Sequence, residues 1–331
     1  MRAVLVTAAL SVVVGCSEDR ISGTTGGALA TVALIELEGA RPALYVQKSD
    51  GTGRTRIHFT GAVDDVAGNS PLVPQLTDAN ILALRSVKWS PDGTRLALVA
   101  TVAADQSEVV VIDADGRNAR IVSINYAYVL GDVDWSPDGN RLAYIMATRP
   151  FLQGLEVFVS DVVGTPRVTQ VTNGSGYRGL GGTIRFAAGG SAVWISQVTG
   201  EGGAPLFEQV GAVRRVELAT GAISSVLENI VGEVQAVAHS GAYAIVLRRK
   251  SLVNGVYDSK LVRVPVSATG GGGEQTLVDG GRLDYARLTS DDSRMLVLRD
   301  GAVFTAMAMA GGAEVSVRGS GAEPLSADVR N

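Results

Sequence analysis

One fourteen-residue phrase occurs twice, VKWSPDGTRLALVA at residues 87–100 and VDWSPDGNRLAYIM at 133–146, and nine of its first eleven positions agree. The two tryptophans, Trp89 and Trp135, lie 46 residues apart. Near-identity at a spacing of roughly 40–50 residues marks an array of equivalent supersecondary units. One such unit cannot bury its own apolar face, so it must stack on a sister. The phrase also reads mechanically. Val87-Lys88-Trp89 ends a strand, and Ser90-Pro91-Asp92-Gly93 turns it. Proline pre-sets φ for the turn, and glycine takes the left-handed position that returns the chain.

Residues 95–100 then form a second strand that is apolar on both faces, Leu96 and Leu98 on one and Ala97 and Val99 on the other. A strand apolar on both faces suits a sheet sandwiched between two neighbours. A third strand is expected at 108–112, a D-A-D-G turn at 113–116, and a fourth strand at 119–123. Four short antiparallel strands are one propeller blade.

The same order recurs with diluted wording. Its anchors fall at 89, 135, 186, 236 and 288, in steps of 46, 51, 50 and 52. The N-terminal stretches 31–37, 43–48 and 54–59 match the second, third and fourth strands of a unit whose first strand is missing. Residues 324–330 are expected to supply that strand and close the ring, which removes the exposed sheet edges. The expectation is therefore an all-β, six-bladed β-propeller of four-stranded antiparallel blades over residues 29–331, stitched together by its two ends.

Bulk properties narrow the function. A formal charge of −4 gives no basic footprint, so nucleic acid is not expected as a partner. A single cysteine and two histidines, His58 and His239, argue against a disulfide framework or a Cys/His metal centre. No G-x-S-x-G elbow, phosphate-cradling G-x-x-x-x-G-K-[ST] or H-E-x-x-H is present. A non-enzymatic, monomeric protein with no cofactor and no metal is expected. Asp113, Asp115 and Asn118 have the beginnings of a calcium loop, but the third ligand and the distant glutamate are missing, so a hairpin turn is expected.

Residues 1–16, MRAVLVTAALSVVVGC, carry one charge and then about a dozen apolar residues, too few for a membrane span of roughly 20. Val13-Val14-Gly15-Cys16 resembles the bacterial lipoprotein lipobox. That resemblance implies a signal peptide at 1–15, lipid attachment at Cys16 and a polar tether at 16–28. It also implies a place in the bacterial cell envelope, with Ser17 suggesting the outer membrane facing the periplasm. Acyl chains contribute about 0.8 kcal/mol per buried methylene, so two or three of them anchor stably.

W-S-P-D-G-x-R-L-A followed by D-x-D-G resembles the WD-repeat-like TolB-type propellers. The resemblance extends, diluted, over roughly residues 29–331 and implies a periplasmic propeller serving as an interaction platform. TolB-type proteins place an α/β domain before the propeller, and residues 17–28 are expected to leave no room for one.

Ser90, Asp92, Ser136 and Asp138 are explained by turn chemistry. Binding is expected instead on long connections at 149–154, 199–212 and 248–258, which share one face with the links at 61–86 and 173–183. Phe151, Leu152, Phe207, Arg248, Arg249 and Tyr257 are the candidate anchors there for an envelope protein or peptide. The alternative is a small-ligand receptor for a glycan, or a hydrolase or lyase, working in the central channel. Clustered carboxylates and aromatics in the channel favour that alternative. The first strands suggest an Ala/Val/Gly lining instead.

Overall fold

The computed structural model describes residues 31–60, 64–65, 76–103, 106–123, 128–147, 154–164, 167–173, 180–200, 210–253, 256–266, 273–299, 303–309, 315–317 and 324–330. Every regular element among them is a β-strand. The innermost strands, where each unit begins, are β5 (Ala83–Trp89), β9 (Tyr128–Trp135), β13 (Leu180–Phe186), β17 (Glu233–Val237), β21 (Leu283–Leu288) and β25 (Pro324–Arg330).

Each inner strand pairs antiparallel with the next strand of its unit. For the first five these are β6 (Arg95–Ala103), β10 (Arg141–Ala147), β14 (Ala192–Val198), β18 (Tyr243–Val253) and β22 (Arg294–Arg299). The C-terminal β25 pairs with the N-terminal β1 (Thr31–Glu38), from Thr31 opposite Arg330 to Glu36 opposite Pro324. Together with β2 (Arg41–Lys48) and β3 (Thr55–Ile57) they form one four-stranded sheet, so the chain ends close on each other as expected.

The protein is an all-β propeller of four-stranded antiparallel sheets, but hydrogen bonding divides the described strands into five sheets, not six separate blades. The two copies of the W-S-P-D-G phrase share one nine-stranded sheet. It contains the meander of β5, β6, β7 (Gln106–Asp113) and β8 (Arg120–Ile121), and the meander of β9, β10, β11 (Leu155–Asp161) and β12 (Val168–Gln170). A parallel bridge from Ser107 to Tyr128 joins the two meanders. The ninth strand, β4 (Asp64–Asp65), adds parallel to β8.

Packing repeats from unit to unit. Leu96, Leu98 and Ala100 face a core shared with Ile35 and Leu44, while Ala97 and Val99 face one shared with Trp135, Leu142 and Tyr144. Among the described residues six such clusters run round the ring. The last joins Leu296 and Leu298 to Val32, Leu34 and Ala327, across the closure of the chain.

The turn after each inner strand keeps one geometry whatever its wording. The N–H groups of Gly93, Gly139, Gly190, Gly241 and Asp292 all donate to the carbonyl three residues back. All five residues have φ between 56° and 69°. Their spacing, 46 and then 51 three times, moves the fourth anchor from the expected 236 to Val237. In that unit Pro and Asp are missing from the turn, so the wording fixes no register.

Four of these positions are glycine because a Cβ is unwelcome at positive φ. At Gly241 it would also lie 2.4 Å from the Trp194 ring. In the two full copies, Ser90 and Ser136 donate to Asp92 and Asp138, and the aspartates accept the N–H of Thr94 and Asn140. Arg95 and Arg141 then reach across to the carbonyls of Gly139 and Gly190 in the following unit, at 2.8 and 2.9 Å. The polar residues of the phrase are thus spent on the turn and on the seam between units. At Asp113, the side chain accepts from Asn118 at 2.6 Å within a hairpin turn.

Candidate functional site

The inner strands converge on the axis, and the axis is charged. The residue before each anchor is Lys88, Asp134, Arg185, Ala236 and Arg287, and the closing strand adds Asp328. Five of these six are ionisable, and each ionisable one is 7% exposed or less. The Ala/Val/Gly lining expected from the first strands is therefore incorrect. Apolar residues of these strands point between the sheets, and the charged ones take the axis.

The charges hold one another and the backbone. Arg185 donates to the carbonyls of Leu288 and Thr289 at 3.0 and 3.1 Å and to Asp292 at 2.8 Å, and its Nε lies 3.6 Å from Asp134. Lys88 donates to the Leu288 carbonyl at 3.2 Å. Asp328, Asp134 and Asp292 accept the backbone N–H groups of Trp89, Phe186 and His239 at 2.8, 2.8 and 2.7 Å.

His239 sits between two of these carboxylates, 3.3 Å from Asp134 and 3.4 Å from Asp292. The sequence showed no partner for it, because its partners lie about a hundred residues before it in Asp134 and one full unit after it in Asp292. Burial pulls Lys88 down to about 8, with the charge of Arg185 acting in the same sense. Burial alone would raise Asp134, but Arg185 and His239 outweigh it and hold the carboxyl at about 2. Burial and Arg185 push His239 down, yet the two carboxylates prevail and raise it. Single buried charges are expensive, so this array persists only because its members are paired or hydrogen-bonded.

A cavity lies at each end of this charged axis. On the turn face a cavity of about 260 Å³ is lined by Pro91, Trp135, Pro137, Ala188 and Ser290 over Asp134 and His239. At the opposite end a cavity of about 300 Å³ takes residues from all six inner strands: Arg85, Ser86, Gly131, Asp132, Thr183, Glu233, Gln235, Tyr285, Arg287 and Ser326 among them. This second mouth lies where chain arrives from the preceding unit, and we call it the link face.

The link-face mouth is built from irregularity. Every inner strand shifts register against its partner there, between Arg85 and Lys88, Leu130 and Val133, Leu180 and Ile184, Val234 and Ala236, Leu283 and Tyr285, and Pro324 and Ser326. A β-bulge re-aims side chains and bends its strand, and bulges concentrate beside functional sites. Ser86 adopts φ 58°, unusual for a non-glycine residue. Its hydroxyl accepts the Val133 N–H at 3.0 Å and donates to Asp132. Asp132 also pairs with Arg287 at 3.2 Å, and the Arg287 guanidinium lies 4.9 Å from the Tyr285 ring centroid.

The expected anchors stand in varied relation to this mouth. Arg249, on β18, lies 3.9 Å from Glu233 of the cavity lining. Arg248 donates to the Val231 carbonyl at 2.9 Å and pairs with Glu274 at 2.6 Å. Tyr257 belongs to β19 (Val256–Pro265), but its side chain is outside the described residues. Cys16, Phe151, Leu152 and Phe207 also lie outside them. The mouth residues themselves went unread in the sequence. In four units the signal is a polar or charged residue one and three places before the anchor; in the unit of Val237 those places are Ala236 and Val234. Among the described residues no group of three His, Cys, Asp or Glu side chains is arranged to hold a metal ion.

Fold and axial mouth define the class as a β-propeller with a polar axis, and known structures carry the same architecture. TolB from Acinetobacter baumannii is similar with a TM-score of 0.64 at 13% identity, over 91% of this chain and 66% of that one, just under two thirds of its length. A chain of a nidogen/laminin complex gives 0.59 at 6% identity, over 91% and 98%. The tricorn protease gives 0.55 at 12% identity, over 91% and 30%. No protein-family profile and no curated protein matches the sequence. The TolB-type likeness read from the repeats is thus met in three dimensions, and at these identities it speaks for the fold.

Proposed function

We propose that this chain is a non-enzymatic binding scaffold of the bacterial cell envelope, anchored by lipid at Cys16, that captures a protein or peptide partner on its link face. The observation that carries the reading is the convergence of six bulged inner strands on one polar mouth, beside Arg249 and on the face where the long connections begin and end. The likeness to TolB supports a propeller used as a platform. Replacing Phe151, Phe207 and Arg249 together is expected to abolish partner capture in an envelope pull-down while leaving the unfolding midpoint in place; unchanged capture rejects this face. Incorporation of a fatty-acid analogue by the wild type but not by Cys16→Ala tests the anchor.

One observation favours a second reading, a small-ligand receptor or an enzyme acting on a glycan in the channel. The axis is lined by carboxylates, cations and Tyr285 rather than by small apolar side chains. Binding of envelope glycan fragments by the purified protein, lost in Tyr285→Phe and Asp132→Asn but not in the triple variant, distinguishes it from the first.

A further inference from the structure

At the link-face mouth four oxygens are engaged within the protein, while several N–H donors beside them are spare. Asp132 Oδ1 takes the Ser86 hydroxyl and the Val133 N–H at 2.9 Å and faces Arg287 Nη2 at 3.2 Å. The Ser86 oxygen accepts while it donates. Thr183 donates to the carbonyls of Val234 and Gln235 at 3.4 and 3.1 Å. Gln235 Oε1 accepts the Ala286 N–H at 3.2 Å.

Three nitrogen donors of the lining are spare among the described residues, beside the Ser326 hydroxyl. The exposed guanidinium of Arg85 has no hydrogen bond or ion pair among the described residues. The amide nitrogen of Gln235 donates to none of them. Arg287, 7% exposed, has no hydrogen-bond partner at Nη1. A buried donor without a partner is costly, so its persistence in a cavity wall asks for an acceptor from outside.

We propose that this mouth binds its ligand through a carboxylate, with Arg85, Gln235 and Arg287 supplying the N–H groups. Guanidinium presents a planar fork that matches a carboxylate. The charge also sets the class of ligand. Two guanidiniums line the cavity with two carboxylates, Asp132 and Glu233. These carboxylates repel a singly charged group less than a phosphate dianion. The inference rests on the scaffold reading and sharpens it: the partner inserts a chain terminus or an acidic side chain.

The test is calorimetric titration of the full chain with N-acetylglycylglycine, with its C-terminal amide and with inorganic phosphate. The acid is expected to bind at least about tenfold more tightly than the amide or phosphate, the scale of one charge-assisted hydrogen bond. Gln235→Glu keeps the acceptor for the Ala286 N–H but turns the spare donor into a carboxylate, and it is expected to remove acid binding with an unchanged unfolding midpoint. Arg85→Gln is expected to weaken binding about tenfold. Equal binding of acid and amide, no binding of the acid, phosphate binding as tightly as the acid, or an unaffected Gln235→Glu protein each overturns the proposal. Partner capture separates the two ideas. Acid binding without capture rejects the scaffold reading alone, and capture without acid binding rejects the carboxylate alone.

Discussion

The two mouths of the charged axis are made by the same inner strands, a few residues apart, and they differ in what their polar groups are for. On the turn face, Ser90, Asp92, Ser136 and Asp138 close their own turns, while Asp134 and Asp292 accept backbone N–H groups of the following or preceding unit. The geometry there repeats in five units with little variation in φ. On the link face the register slips in every unit, Ser86 is held in a left-handed conformation, and donors stay unfilled. Regularity goes with stability at one end, and departure from it goes with the recognition proposed at the other. Such local violations of an otherwise consistent pattern are where function is expected.

Substitutions can break or sharpen this contrast. The largest effect is expected at the axis, where Arg185→Ala strands Asp134 and Asp292 without their buried cation. Loss of one partner of a buried pair costs about 3–5 kcal/mol, measurable by urea unfolding. Gly241→Ala adds a Cβ at φ +69° and against Trp194, so a loss of about 1–3 kcal/mol is expected in the same measurement. Asp138→Ala removes one turn acceptor and is expected to cost about 1 kcal/mol. At the link face, Arg85→Ala is expected to change stability by less than about 0.5 kcal/mol, since no partner among the described residues is lost. A link-face change as costly as the turn-face ones would erase the distinction.

The axial charges also set a pH dependence with two flanks. Asp134 is lowered from 3.8 to about 2, so its stabilisation is complete above its unfolded value and is lost as pH falls toward 2. His239 is raised from 6.5, so its stabilisation is complete below 6.5 and is lost as pH rises through its folded value. Asp134→Asn should flatten the acid flank of the unfolding midpoint, and His239→Gln the neutral-to-alkaline one. An unchanged profile in both variants contradicts the paired arrangement at the turn face.

The turn face was legible in the sequence because turn chemistry is local: Pro, Asp and Gly each impose a dihedral within four residues. Where those letters fade, in Ala238-His239-Ser240-Gly241, the register read from sequence slipped by one. Asp292 hid a left-handed position that elsewhere in the series is marked by glycine. Closure by residues 324–330 was legible from the missing strand. Division into five sheets was not, because it depends on the Ser107–Tyr128 bridge across two units. The link-face mouth was equally silent. Bulges carry little local signature, and Arg85, Asp132, Gln235 and Arg287 are neighbours only once the ring has closed.

Site-specific photocrosslinking in intact cells decides between the two faces, with the crosslinker placed at Arg85 on the link face or at Ser290 on the turn face. Position 85 is expected to capture a discrete partner and position 290 is not. Capture from position 290 alone would contradict that expectation.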